Sequence, residues 1–129
     1  MDEFRWPALV TLGTLLLLFA LTANVGVHRV RHKVMAPDTT GAPSFMRAFR
    51  AHLNTLECTV LFLPALWLFA LTVSTTWAGA LGAVWLAARI WYAVAYMQDP
   101  PARGKPFGLG MAVFAVLFLG SAWRLVFVA

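Results

Sequence analysis

The run from Trp6 to Val27, WPALVTLGTLLLLFALTANVGV, is apolar apart from Thr11, Thr14, Thr22 and Asn24. A helix needs roughly 20 residues to cross the hydrocarbon core of a bilayer, so this stretch predicts a membrane span. A signal peptide would open with basic residues, but Asp2 and Glu3 stand there instead. The basic run His28-Arg29-Val30-Arg31-His32-Lys33 follows where a cleavage site would lie, which makes the segment a retained span.

Three further runs have the same character. Beyond the first span, Met35 to Ser44 holds two prolines, a glycine and short polar side chains, which is loop chemistry. Ser44 is placed to cap a second helix that carries Arg47 and Arg50 and is then apolar from Leu56 to Val73, apart from Glu57, Thr59 and Thr72. Pro64 inside it should kink the helix. Ser74-Thr75-Thr76 makes a turn short enough to demand an antiparallel return. A third span runs from about Trp77 to Met97, a break from Gln98 to Pro106 follows, and a fourth span covers Phe107 to Val128. The expected fold is all-α, a four-transmembrane-helix bundle running up-down-up-down. Its spans lie near 6–27, 44–73, 77–97 and 107–128 of one integral-membrane domain over 1–129.

Composition agrees. Of 129 residues 61% are hydrophobic and 12% charged, with 6 Trp and 10 Phe, more apolar surface than a small soluble core can hide. Disorder and a disulfide-stapled secreted module are excluded, since one cysteine forms no internal bridge. A net charge of +5 would suggest nucleic acid in a soluble chain. Here the cations flank apolar runs, so membrane lipids or an acidic ligand at the membrane surface are the expected partners and nucleic acid is not. Arg29, Arg31, Lys33, Arg47, Arg50, Arg103 and Lys105 fall on one side, against Arg5 and Arg124 on the other. That asymmetry places the basic side in the cytosol and both termini opposite, in a bacterial inner membrane or the endoplasmic reticulum.

Ionisable groups within a span cost about 3 kcal/mol or more, so Glu57 and Arg89 require a reason. Antiparallel second and third helices bring them to similar depth, which predicts a structural ion pair. Arg47, Arg50, Asn54 and Glu57 follow i, i+3, i+7, i+10 along one helical face, and Arg89, Tyr92 and Tyr96 follow i, i+3, i+7 on the next helix. Together with Arg29, Arg31, Arg103 and Lys105 these could line one polar cavity. Arginines suit carboxylates, Glu57 an ammonium, and Asn54 and the tyrosines amides, so a small zwitterionic or anionic ligand fits. The alternative is that the arginines are snorkelling anchors and the tyrosines an interfacial belt. Cys58 reads as a packing residue, and His28, His32 and His52 lack metal-ligand spacing, so no metal is expected.

The run Arg47-Ala48-Phe49-Arg50-Ala51-His52-Leu53-Asn54-Thr55-Leu56-Glu57 resembles the Arg-Ala-x-x-Asn-x-x-Glu signature of the MAPEG family, the membrane-associated proteins in eicosanoid and glutathione metabolism. Arg89 to Tyr96, with Asp99-Pro100 and Arg103 after it, is similar to the family's Arg-x-x-Tyr-x-x-x-Tyr segment and basic loop, most like the microsomal glutathione transferase branch. The resemblance covers nearly the whole chain. It implies a left-handed bundle assembling as a homotrimer, with glutathione as co-substrate bound between subunits near the cytosolic face. Glutathione contacts would fall on Arg29, Arg50, Asn54, Glu57, Tyr92 and Tyr96. The thiolate-stabilising residue would be Arg103, with Lys105 as the other cation on that loop. Leu53 stands where some prostaglandin-synthesising members have a second arginine, which counts against that activity.

The resemblance implies that the protein would be a glutathione S-transferase in detoxification. It would activate the thiolate for attack on a lipophilic electrophile arriving through the bilayer, or for reduction of a lipid hydroperoxide as a peroxidase. Two rivals differ in class. A lipid-binding scaffold with the same fold would lack a working Arg103, and a small proton-coupled multidrug transporter would use Glu57 as its proton carrier. Arg89 at the depth of Glu57 argues against the transporter.

Overall fold

A computed structural model describes residues 2–128 and, among them, an all-helical chain without strands. After a single 3-10 turn at Asp2–Phe4 come α1 (Arg5–His32), α2 (Pro43–Thr72), α3 (Thr75–Gln98) and α4 (Gly104–Trp123). A short 3-10 turn at Pro100–Arg103 links the last two, and α4 widens to π-type winding over Arg124–Val128. All four helices are long and apolar enough to cross a membrane.

Several helix ends depart from the reading of the sequence. α1 continues to His32, because the basic residues after Val27 are good helix formers placed at a helix C-terminus, where cations complement the peptide dipoles. Lys33 then closes the helix in the left-handed region (φ 56°). Ser44 does not cap α2. Pro43 starts that helix, and the Ser44 hydroxyl lies 2.7 Å from His32 Nε2, tying the loop back to α1. The cap expected there is found at Ser74, whose Oγ accepts the Trp77 N–H at 3.1 Å. α4 begins at Gly104, since proline is tolerated in a helix's first turn and Pro106 does not delay it. Pro64 lies within α2 on its exposed side.

The helices alternate in direction. At one end Asn24 of α1 and Arg47 of α2 both reach Met97 of α3, at 3.8 Å to its sulfur and 3.3 Å to its carbonyl. At the other, Trp67 of α2 donates to Thr11 of α1 at 3.0 Å, and Phe69 of α2 packs against Gly120 of α4. α2 and α3 form the inner pair. Their meeting faces bury Phe62, Leu66, Phe69, Ala78 and Trp85, with Val10 from α1 and Val113 and Leu117 from α4 closing the core. The outer faces of α1 and α4 leave Leu12, Leu16, Phe19, Leu119 and Val126 exposed, as a helix in lipid requires.

Candidate functional site

The inner pair also makes the site. Toward the N-terminal half of α2 the seam with α3 opens into a cavity of about 430 Å³, lined by Arg50, Leu53, Asn54, Glu57, Tyr92, Tyr96 and Arg103. α2 supplies the first four, α3 the two tyrosines, and the 3-10 turn before α4 supplies Arg103. The i, i+3, i+4 spacing of each helix puts these side chains on one face. Tyr92 and Tyr96 stand one helical turn apart, rings 5.7 Å between centroids, and Phe107 of α4 lies 6.3 Å from Tyr92. The Arg103 guanidinium sits over the Tyr96 ring at 5.1 Å, and its Nη1 donates to the Pro100 carbonyl at 3.4 Å. Two guanidinium groups, one carboxylate, one amide and two phenols therefore face a single space. That set can hold two carboxylates, an ammonium and a peptide backbone at once.

Arg89 lies beneath this cavity, 1% exposed. The expected Glu57–Arg89 ion pair is corrected by the structure. Arg89 Nη2 donates instead to Asn54 Oδ1 at 2.9 Å and Thr55 Oγ1 at 2.7 Å, and its Nη1 faces Cys58 Sγ at 3.8 Å. Glu57 points out of the bundle, toward the cavity rim, and is exposed. The physical reason is helical phase: Glu57 is three residues, about 300° of turn, from Asn54, and two, about 200°, from Thr55, so Glu57 and the buried Thr55 cannot face α3 together.

Residues 7–123 match the sequence profile of the MAPEG family. The chain belongs to that family. Among its relatives, an uncharacterized protein of Synechocystis sp. is 44% identical over 119 residues, 92% of this chain and 87% of the relative. Microsomal glutathione S-transferase 2 of Homo sapiens is 35% identical over 104 residues, 81% and 69% of the two chains. Leukotriene C4 synthase of Cavia porcellus is 33% identical over 121 residues, 93% and 81%.

In this MAPEG chain six of the residues singled out from the sequence, Arg50, Asn54, Glu57, Tyr92, Tyr96 and Arg103, come together in one cavity. Two others stand apart from it. Arg29 donates to the Asp38 carbonyl at 2.7 Å and lies over the Phe45 ring at 5.0 Å, bracing the loop between α1 and α2. Lys105 is exposed at the start of α4 and does not line the cavity. Arg47 leaves the polar stripe to reach the Met97 carbonyl. Sequence reasoning missed Leu53 as a lining residue, and Thr55 and Cys58 as neighbours of Arg89. Thr55 carried a signal: with Thr59 it forms an i, i+4 hydroxyl pair, both buried, on the side of α2 that meets α3.

Proposed function

We propose that this protein is a membrane-bound glutathione S-transferase. The observation that carries the reading is the single cavity combining Arg50, Asn54, Glu57, Tyr92, Tyr96 and Arg103. Glutathione has two carboxylates, one ammonium and two amides, and the lining offers arginines, a carboxylate and neutral polar groups to match. The relationship to microsomal glutathione S-transferase 2 supports the same assignment. Arg29 and Lys105 do not reach the cavity of their own protomer, and a homotrimer in which a neighbour supplies Arg29 would bring it there.

The chemistry needs a thiolate, because a thiol of pKa near 8.5 is mostly protonated and poorly nucleophilic at neutral pH (about 8.5 is the ordinary cysteine value). A guanidinium beside the sulfur favours the charged form. Stabilisation by about two pKa units amounts to about 2.7 kcal/mol and makes the thiolate the main species. Arg103 is the cation for this role: it lines the cavity from the turn, whereas Lys105 does not. An apolar electrophile such as an aryl halide, dissolved in the bilayer, meets the thiolate at the cavity rim, facing the cytosol; the C–S bond forms as the carbon–halogen bond breaks and halide leaves, and the thiol proton has already passed to water, so no general base is required. A transporter fits less well, since the carboxylate of Glu57 shares its cavity with Arg50 and Arg103, which repel a cationic drug.

The test is conjugation of glutathione to an apolar aryl halide by the detergent-purified protein beside Arg103→Ala. At pH 7 the variant should lose about 25-fold in kcat, the fall in thiolate fraction when a two-unit pKa depression is removed, and keep glutathione binding. Unchanged turnover would remove the role from Arg103, and no turnover in either folded protein would favour the lipid-binding scaffold.

A further inference from the structure

Arg89 is buried in a span, yet no carboxylate among the described residues balances it at hydrogen-bond distance. Such a group is expensive to keep in lipid, which calls for a task beyond packing. Its geometry suggests one. A guanidinium only donates, so the atom of the Asn54 amide that meets Arg89 Nη2 at 2.9 Å must be the oxygen. The Cys58 thiol also donates to that oxygen, at 3.8 Å. The amide therefore cannot flip without setting donor against donor. Its nitrogen, with two N–H groups and no protein acceptor among the described residues, is left to the cavity that Asn54 lines. The same guanidinium stacks on the Tyr92 ring at 4.0 Å, fixing a second cavity residue. Thr55 Oγ1, fully buried, accepts the other Nη2 proton and locks the guanidinium plane.

We infer that Arg89 is a positioning residue: it sets Asn54 as a hydrogen-bond donor, so that Asn54 reads a carbonyl or carboxylate oxygen of the bound tripeptide. The inference rests on the glutathione reading for the ligand's identity and on the Arg89–Asn54 contact for the residue's role.

A double-mutant cycle on the purified full-length protein tests it, with the glutathione Kd, kcat at saturating glutathione and the melting temperature measured for each variant. Arg89→Met should weaken glutathione binding about tenfold, leave kcat within about twofold, and add less than about twofold when placed in Asn54→Ala. A tenfold loss in both backgrounds would overturn the inference, because Arg89 would then not act through Asn54. Should Arg89→Met fail to fold, Arg89→Lys, whose ammonium still donates to the Asn54 oxygen, should bind glutathione within about twofold of the wild type, and a tenfold loss there would overturn the inference. Asn54→Asp retains a partner for Arg89 but turns an oxygen to the cavity, and should bind glutathione more weakly than Asn54→Ala. Binding as in the wild type would overturn the donor assignment. If the wild-type protein binds no glutathione, the transferase reading falls and the side-chain amide signal of Asn54, identified by its loss in Asn54→Ala, decides the matter alone. Amide nitrogen and proton shifts that move in Arg89→Met uphold the positioning role, and an identical signal in both proteins rejects it.

Discussion

The seam between α2 and α3 has two halves of opposite chemistry. In one, Phe62 and Trp85 stack at 3.8 Å with planes 2° apart, above Leu66, Gly82, Phe69 and Ala78. In the other, Arg89 is held by an amide and a hydroxyl below an open cavity with charged walls. The apolar half gains from close contact and tolerates no gap, whereas the polar half leaves space for a ligand and holds its buried cation through directional bonds at Nη2, its Nε having no partner among the described residues. The difference separates stability from recognition along one pair of helices, so substitutions in each half should move different observables.

The largest expected effect is in the packed half. Trp85→Ala removes a side chain 2% exposed and its stacking partner's contacts, and should cost about 3–5 kcal/mol in detergent unfolding, with glutathione affinity of the folded fraction unchanged within about twofold. A shift in affinity without loss of stability would break the division. Arg103→Ala is its counterpart, with turnover lost and unfolding unaltered. Next comes Gly82→Leu. A Cβ there already meets Val10 Cγ1 at 2.8 Å and Leu66 Cδ1 at 3.1 Å, so the added branch overpacks three helices. Helix propensity returns about 1 kcal/mol against a clash near the upper end of about 1–3, leaving a net loss of about 2 kcal/mol measured by the same unfolding curve. The smallest is Ser74→Ala, which deletes the cap of α3 far from the cavity and should cost about 1 kcal/mol with kcat and glutathione Kd unmoved.

Much of this division is legible in the chain itself. The apolar runs and the proline-rich breaks specify four helices because lipid leaves few other ways to satisfy a backbone. The stripe Arg50-Asn54-Glu57 and the pair Tyr92-Tyr96 marked the cavity because helical spacing alone puts each set on one face. The partner of Arg89 was not legible. Charge suggested Glu57, but the rotation of α2 about its axis, fixed by packing against α3, turned Asn54 and Thr55 toward the cation. The place of Leu53 in the lining was not legible for a related reason: an apolar residue beside a polar stripe lines a cavity only if the helix's rotation exposes it there. Helix ends differ from the sequence pattern where local chemistry allows two starts, as at Ser44, which Pro43 pre-empts.

Only Val73 and Ser74 separate α2 from α3. A connection this short bears on how the protein is made. Arg89, entering a bilayer on a lone helix, would face a penalty of about 2.5–3.5 kcal/mol at mid-depth. Because α2 is synthesised first and the two-residue turn holds α3 beside it, Asn54 and Thr55 are within reach of the guanidinium as α3 enters lipid, which favours insertion of the two helices as one hairpin. The arginine thereby makes insertion of α3 dependent on the segment translated before it, an ordering of biogenesis built into a two-residue link.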